Sequence, residues 1–263
     1  AQLIIVGKGD LQPYYEKIRL YSDIEHRDLW EYKLNLTQDE VDLMIAHAWE
    51  IRDRNFDYYF FDENCAYRLL ALIDIARPGT DLLGEVSTHA IPSDTVRWVV
   101  DKDLVSEVYY RPSAATSVAY SLSTLPDDHQ TLAAAIANGY VDADANEVSS
   151  LPAEQQAHVL DATYDYVRYK SEADGWPREI AAPLSHDLLR ERSRINNVAP
   201  PEEPPEPVVR DDQGHDTFRL SLGAGQQAHR EFTQVTLRPA YHDVLDPPAG
   251  YRTGAQLQFL RLD

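Results

Sequence analysis

Phe56-Asp57-Tyr58-Tyr59-Phe60-Phe61-Asp62-Glu63-Asn64-Cys65, continuing as Ala66-Tyr67-Arg68-Leu69-Leu70-Ala71-Leu72-Ile73, is the stretch on which the reading of this chain turns. An aromatic run, strand or loop, gives way to a polar cluster. A helix then begins, with Leu69, Leu70, Leu72 and Ile73 as its apolar residues. Asn64 stands where an N-cap belongs, and Pro78-Gly79 stops the helix near Ala76. Cys65, the single cysteine of the chain, therefore falls in the first helical turn. Unpaired backbone N–H groups and the positive end of the helix dipole favour a thiolate at such a position. Asn64 suits either the cap or a hydrogen bond to an oxyanion. Asp62 and Glu63 work the other way, because nearby negative charge disfavours a thiolate. A lone cysteine beside aromatic residues also fits a small buried apolar role. From the residues alone both readings, nucleophile and core, stay open.

Working outward, Leu3-Ile4-Ile5-Val6 reads as a short strand stopped by Gly7 and Gly9. Tyr14 to Tyr21 fits strand or helix. Leu29 to Leu36 alternates and predicts a half-buried strand. Thr37-Gln38-Asp39-Glu40 is a capping box opening a helix to about Arg54, with Val41, Ile45, Ala48 and Trp49 expected to face inward. Beyond residue 91 apolar residues recur at helical spacing near 92–101, 113–124, 128–138, 152–172 and 178–196. Pro126, Gly139, Pro152 and Gly175-Trp176-Pro177 separate these segments. Residues 199–209 hold five prolines in eleven positions, which predicts a stiff, extended tether with few contacts.

After the tether the period becomes two. Phe218, Leu220 and Leu222 alternate with polar neighbours, as do Thr233, Val235 and Leu237, and Ala255, Leu257 and Phe259. Three strands of about 8–11 residues with apolar residues on one side suit the start of an outer-membrane barrel, or a soluble antiparallel sheet. The class is α+β. The expected divisions are an N-terminal α/β region over 1–112, a helical region over 113–198, an acidic Pro-rich tether over 199–214, and antiparallel strands of an incomplete barrel over 215–263.

The 263 residues carry 24 Lys and Arg against 44 Asp and Glu, a net charge of −20. That balance argues against nucleic-acid binding, which needs a basic face, and against charge-driven docking on anionic headgroups. One cysteine excludes an internal disulfide and a cysteine-rich zinc site. The nine histidines show no metal-ligand spacing, and no glycine-rich phosphate loop is present, so neither metal nor cofactor is expected. His26 is expected exposed, His47 mid-helix and His89 in a loop. The carboxylates of 202–216 read as a solvated linker face. The chain opens on Ala1-Gln2-Leu3-Ile4-Ile5-Val6, without Met, and the expectation is a fragment.

Several blocks stand in a telling order: Tyr14-Tyr15-Glu16-Lys17-Ile18, Arg27-Asp28-Leu29-Trp30-Glu31-Tyr32, the Phe56–Cys65 stretch, Ala90-Ile91-Pro92-Ser93-Asp94-Thr95-Val96-Arg97 and Tyr110-Arg111-Pro112-Ser113. Together they resemble the Lnb N-terminal periplasmic domain family of bacterial envelope proteins, whose namesake is a lipoprotein intramolecular transacylase. Arg238-Pro239-Ala240-Tyr241-His242-Asp243 with Gly250-Tyr251 is similar to the barrel-like region of longer Gram-negative members. The resemblance implies a permuted papain-like α/β domain lacking its N-terminal part, with Cys65 as nucleophile, Asn64 beside it, and a histidine base carried on a strand before the cysteine helix, upstream of Ala1. Ala66 departs from the Ser or Thr expected after the cysteine. The implied protein is a periplasmic or outer-membrane acyltransferase or hydrolase acting on lipoproteins or other acylated substrates, anchored through its C-terminal strands. Its rival is a non-enzymatic periplasmic scaffold or plug, in which Cys65 is core. Exposure of the thiol discriminates between the two.

Overall fold

The computed structural model describes residues 3–6, 10–13, 27–57, 59, 63–86, 89–173, 175–228, 230–239, 241–251 and 254–258. Near the N-terminus β1 (Leu3–Val6) pairs with β2 (Asp10–Pro13). The Tyr14–Tyr21 and His26 expectations lie outside the described residues. β3 (Leu29–Leu34) pairs with β4 (Val105–Arg111), so a strand anticipated from alternation finds its partner more than seventy residues on. The chain is α+β, as the patterning predicts, and divides into two compact units. One takes residues 1–4, 12–31 and 110–206, the other 5–11, 32–109 and 207–263.

In the second unit, α1 (Gln38–Ile51) packs on α2 (Cys65–Ala76). The capping box of α1 is complete: Thr37 Oγ1 accepts from the Glu40 N–H at 3.3 Å, and Glu40 Oε2 accepts from the Thr37 N–H at 2.7 Å. The same carboxylate takes Arg77 Nε and Nη2, each at 2.7 Å, while Arg77 Nη1 reaches Asn35 Oδ1. The bidentate pair fixes the end of α2 against the start of α1 and holds the Glu40 carboxyl down at about 2. α1 ends at Ile51, short of Arg54. Its inward face also differs from expectation. Ala48 is buried and Met44 packs on the core, but Ile45 and Trp49 are exposed. At 100° per residue, Val41, Met44 and Ala48 form one seam, and Ile45 and Trp49 fall one step off it. Arg52 covers the Trp49 ring at 3.8 Å.

The core of this unit joins Leu70 and Ile73 of α2 with Leu82, Leu104 and Val99, the last from α3 (Pro92–Asp101). The Asp74 carboxylate gathers the chain after α2, accepting from Thr80 Oγ1, Leu82 N and Leu83 N at 2.6–2.9 Å. The C-terminal segment belongs to the same unit. β5 (Phe218–Gln227) and β6 (Arg230–Pro239) form an antiparallel hairpin in the register Leu220↔Leu237, Leu222↔Val235. Gln227 pairs with Arg230, and Ala228 after it takes a φ of 48°. Directly paired residues share a face, so Phe218, Leu220 and Leu222 lie with Val235 and Leu237 on one side. Phe218, Leu220, Leu222 and Val235 are exposed. β7 (Tyr241–His242) pairs with β8 (Leu257–Gln258), which falls within the third strand expected; Phe259 lies outside the described residues.

Among its described residues, the other unit holds the helices α4 (Ala114–Ser123), α5 (Asp127–Ala137), α6 (Asn146–Ser149), α7 (Ala153–Ala173) and α8 (Arg178–Ser193). α7 packs on α4, α5 and α8 around Ile136, Val148, Val159, Leu160, Val167 and Leu188. Arg192 of α8 donates to both Asp161 oxygens at 2.9 Å. At the entry to α4, Asp28 Oδ1 accepts from the Ser113 N–H at 2.8 Å and from Thr116 Oγ1 at 2.7 Å. Burial opposes ionisation of Asp28, but these hydrogen bonds prevail and keep it below its ordinary range. Residues 198–207 form no helix or strand. The expectation of few contacts gives way at their start, where Val198, Pro200 and Pro201 join Asp161, Tyr164, Asp165 and Arg192 around a cavity of about 320 Å³. Proline rings lack a donor to satisfy and pack readily against such a surface.

Candidate active site

Cys65 is the first residue of α2, and it is exposed. Asn64, 6% exposed, is the N-cap. Its Oδ1 accepts from the Ala66 N–H at 3.0 Å and the Tyr67 N–H at 3.2 Å. Its backbone carbonyl accepts from the Arg68 N–H at 3.2 Å. Asn64 thus takes the N–H groups of Ala66, Tyr67 and Arg68, and not that of Cys65. On its other side, Asn64 Nδ2 donates to the Ala90 carbonyl at 2.7 Å. One amide thus holds the cysteine turn and the segment entering α3. Ala66, where a hydroxyl residue was expected, is 8% exposed and faces the interior.

Leu69, one turn on from Cys65 on the same helical face, is 52% exposed. Phe56 and Tyr59 of the aromatic lead-in are also exposed. Arg68 Nη2 donates to Glu63 Oε2 at 2.6 Å, and its guanidinium lies over the Phe56 ring at 4.7 Å. Glu63 is therefore paired. Tyr58, Phe60, Phe61 and Asp62 lie outside the described residues. Among the predicted histidines, His47 is half-buried on α1 beside Glu50. His89 lies in no helix or strand and immediately precedes Ala90, the residue bonded to Asn64.

A second cluster binds the C-terminal segment to α3. Arg97 donates to the carbonyls of Asp212, Gly214 and His215 at 2.7–3.1 Å. Thr217 Oγ1 donates to Asp94 Oδ2 at 2.6 Å. Tyr32 OH donates to Asp211 and Asp212, and Arg210 holds Asp212 in a bidentate pair. Asp212 is buried rather than part of a solvated face, because Arg210 and Tyr32 supply the donors its carboxylate needs. Burial and the two carboxylates push the Tyr32 phenol far above its ordinary range. His215, His242 and Asp246 also converge here, with one ligand atom from each within 4.8 Å of the others. Sequence spacing had no means of showing this group, since 27 residues separate the histidines.

With this geometry in hand, residues 6–102 match the model of the Lnb N-terminal periplasmic domain. They form a domain of that family, a periplasmic domain of cell-envelope proteins. Residues 108–204 match a domain of unknown function, DUF7842, and residues 208–263 match another, DUF7840. No curated protein and no solved structure matches the chain.

Proposed function

We propose that this periplasmic domain is a cysteine acyltransferase or hydrolase whose nucleophile is Cys65 and whose substrates are lipoproteins or other acylated envelope molecules. The carrying observation is an exposed thiol at the first position of a buried-capped helix. Cys65 Sγ attacks the ester carbonyl, the carbonyl electrons move to oxygen, and the Cys65 N–H with the helix dipole faces that charge. Collapse expels the alcohol and leaves a thioester, which an amine or water then takes. Asn64 is a positioning residue that sets the cysteine turn. Exposed Leu69, on the face of Cys65, favours an acyl-bearing substrate. The base is a histidine. His89, whose neighbour the cap itself holds, is the described candidate, beside one supplied from outside the described residues.

In this reading the exposed apolar face of the β5–β6 hairpin meets outer-membrane lipid or further strands. The test is incubation of the protein with a diacylated lipopeptide, followed by mass spectrometry of the Cys65 peptide. A thioester-sized mass increase that disappears in Cys65→Ser supports the reading. Acyl transfer that persists in Cys65→Ser, or an unmodified Cys65 throughout turnover, sinks it.

A further inference from the structure

We infer that His215, His242 and Asp246 form a binding site for a late first-row divalent cation, with zinc the best match. The observations are independent of Cys65. His215 Nε2 and His242 Nδ1 are 2.9 Å apart, and an Asp246 oxygen completes a group of three ligand atoms within 4.8 Å of one another. Two imidazoles and one carboxylate are a donor set that zinc takes in three-ligand sites, where a water fills the fourth position.

The tautomers suit this. His215 Nδ1 lies 2.8 Å from the Asp216 carbonyl, which only accepts, so Nδ1 carries the hydrogen and Nε2 presents its lone pair to the cluster. An imidazole that donates its other N–H to a carbonyl is the usual arrangement behind a metal-bound histidine. As the rings stand, His242 Nδ1 donates to that lone pair. With zinc between the rings, His242 carries its hydrogen on Nε2 instead, and no proton is lost. Two nitrogens on a tetrahedral zinc lie about 3.3 Å apart, so the rings must part by about 0.4 Å and tilt until both lone pairs meet at the ion.

Asp246 is equally prepared. Its side chain is 6% exposed, its Oδ1 accepts from Arg219 Nη1 at 2.9 Å, and its Oδ2 accepts from the Asp243 N–H at 2.9 Å. Each bond uses one lone pair and orients the carboxylate, as in ligating carboxylates generally. The rings are also held in place. Tyr251 stacks on His242 at 3.7 Å and 4°, and on His215 at 4.7 Å and 22°. Gly214 allows that approach, because a Cβ there would stand 2.9 Å from the Tyr251 ring. The backbone of His215 is pinned to α3 by Arg97. A bound zinc therefore clips β7 and the turn after it to the segment that α3 holds, within one compact unit.

The experiment is a cobalt(II) and zinc titration of the full chain. Cobalt should bind one equivalent with the intense visible bands of a four-coordinate ion, and zinc should displace it. His215→Ala, at the half-buried edge of the cluster, should weaken cobalt binding by about 100-fold or more, beyond the 10–100-fold typical of supporting residues. Histidine modification by diethylpyrocarbonate, mapped by mass spectrometry on the unmutated chain, keeps the test open should that variant misfold. Zinc should protect the half-buried His215 and leave the exposed His186 reactive. A folded chain that shows no four-coordinate spectrum, or zinc that leaves His215 as reactive as before, overturns the site.

Discussion

Asn64 Nδ2 donates to the Ala90 carbonyl across 2.7 Å, so the residue that caps the cysteine helix also holds the segment leading into α3. The cap and the tertiary contact are the two halves of one buried amide, and they can be separated by substitution. Asn64→Ala should cost about 1–3 kcal/mol, combining a lost cap with an unpaired buried carbonyl. Asn64→Asp keeps the acceptor and loses the donor, and should fall between. Urea unfolding of the three proteins measures this. An Asn64→Ala protein as stable as the parent would show that the cap is not structural.

Cys65 is exposed, so it should react with iodoacetamide in the native protein without prior unfolding. Cys65→Ser should leave stability within about 1 kcal/mol, because no cavity is created. A thiol that reacts only after denaturation would return Cys65 to the core and favour the scaffold.

Glu40 supplies a pH dependence with a definite sign. Arg77, above all, draws its carboxyl down from 4.5 to about 2. The folded value is the lower one, so the stabilisation is complete above about 4.5 and fades as the pH falls toward 2. Glu40→Gln should be less stable than the parent at neutral pH, and the gap should close near pH 2. Thermal unfolding across pH 2–6 reads it. A gap that stays constant with pH would mean that the ion pair contributes nothing.

The hairpin face should be the apolar surface on which association depends. Leu222 is 77% exposed opposite Val235. Leu222→Lys should leave the fold of residues 32–109 intact and reduce partition into lipid vesicles. A charge on a lipid-facing strand costs about 2–4 kcal/mol at mid-bilayer and less near the interface. Unchanged partition would assign the hairpin to a water-facing sheet.

Limited proteolysis should cut the tether after its packed start. Pro200 and Pro201 lie at the cavity beside Arg192, whereas Val208 is 98% exposed. First cleavage is expected within 202–209. Earlier cleavage at 52–57 would place the most accessible segment before α2 instead.

Much of this was legible because the controlling interactions are short-range. The Thr37–Glu40 box and the Asn64 cap span two or three residues, so residue type and spacing suffice to identify them. Period-two alternation placed the β5–β6 residues on their faces for the same reason. The inward face of α1 was misjudged at Ile45 and Trp49, since apolar spacing admits two neighbouring seams and only packing against α2 selects Met44. The 202–216 carboxylates read as solvated because Tyr32, which receives Asp212, lies 180 residues away.

By itself, then, the order of residues determined the α+β class, the cysteine at a helix start and the alternating strands. Each depends on backbone geometry that repeats over a few positions. Tertiary structure alone decided that Cys65 is exposed, that Asn64 reaches Ala90, that Arg97 holds His215, and that His215, His242 and Asp246 meet. Those contacts join residues 26 to 118 positions apart. No local period encodes them; they exist because burying the apolar faces of the helices brings distant polar groups within bonding reach, where each must find a partner.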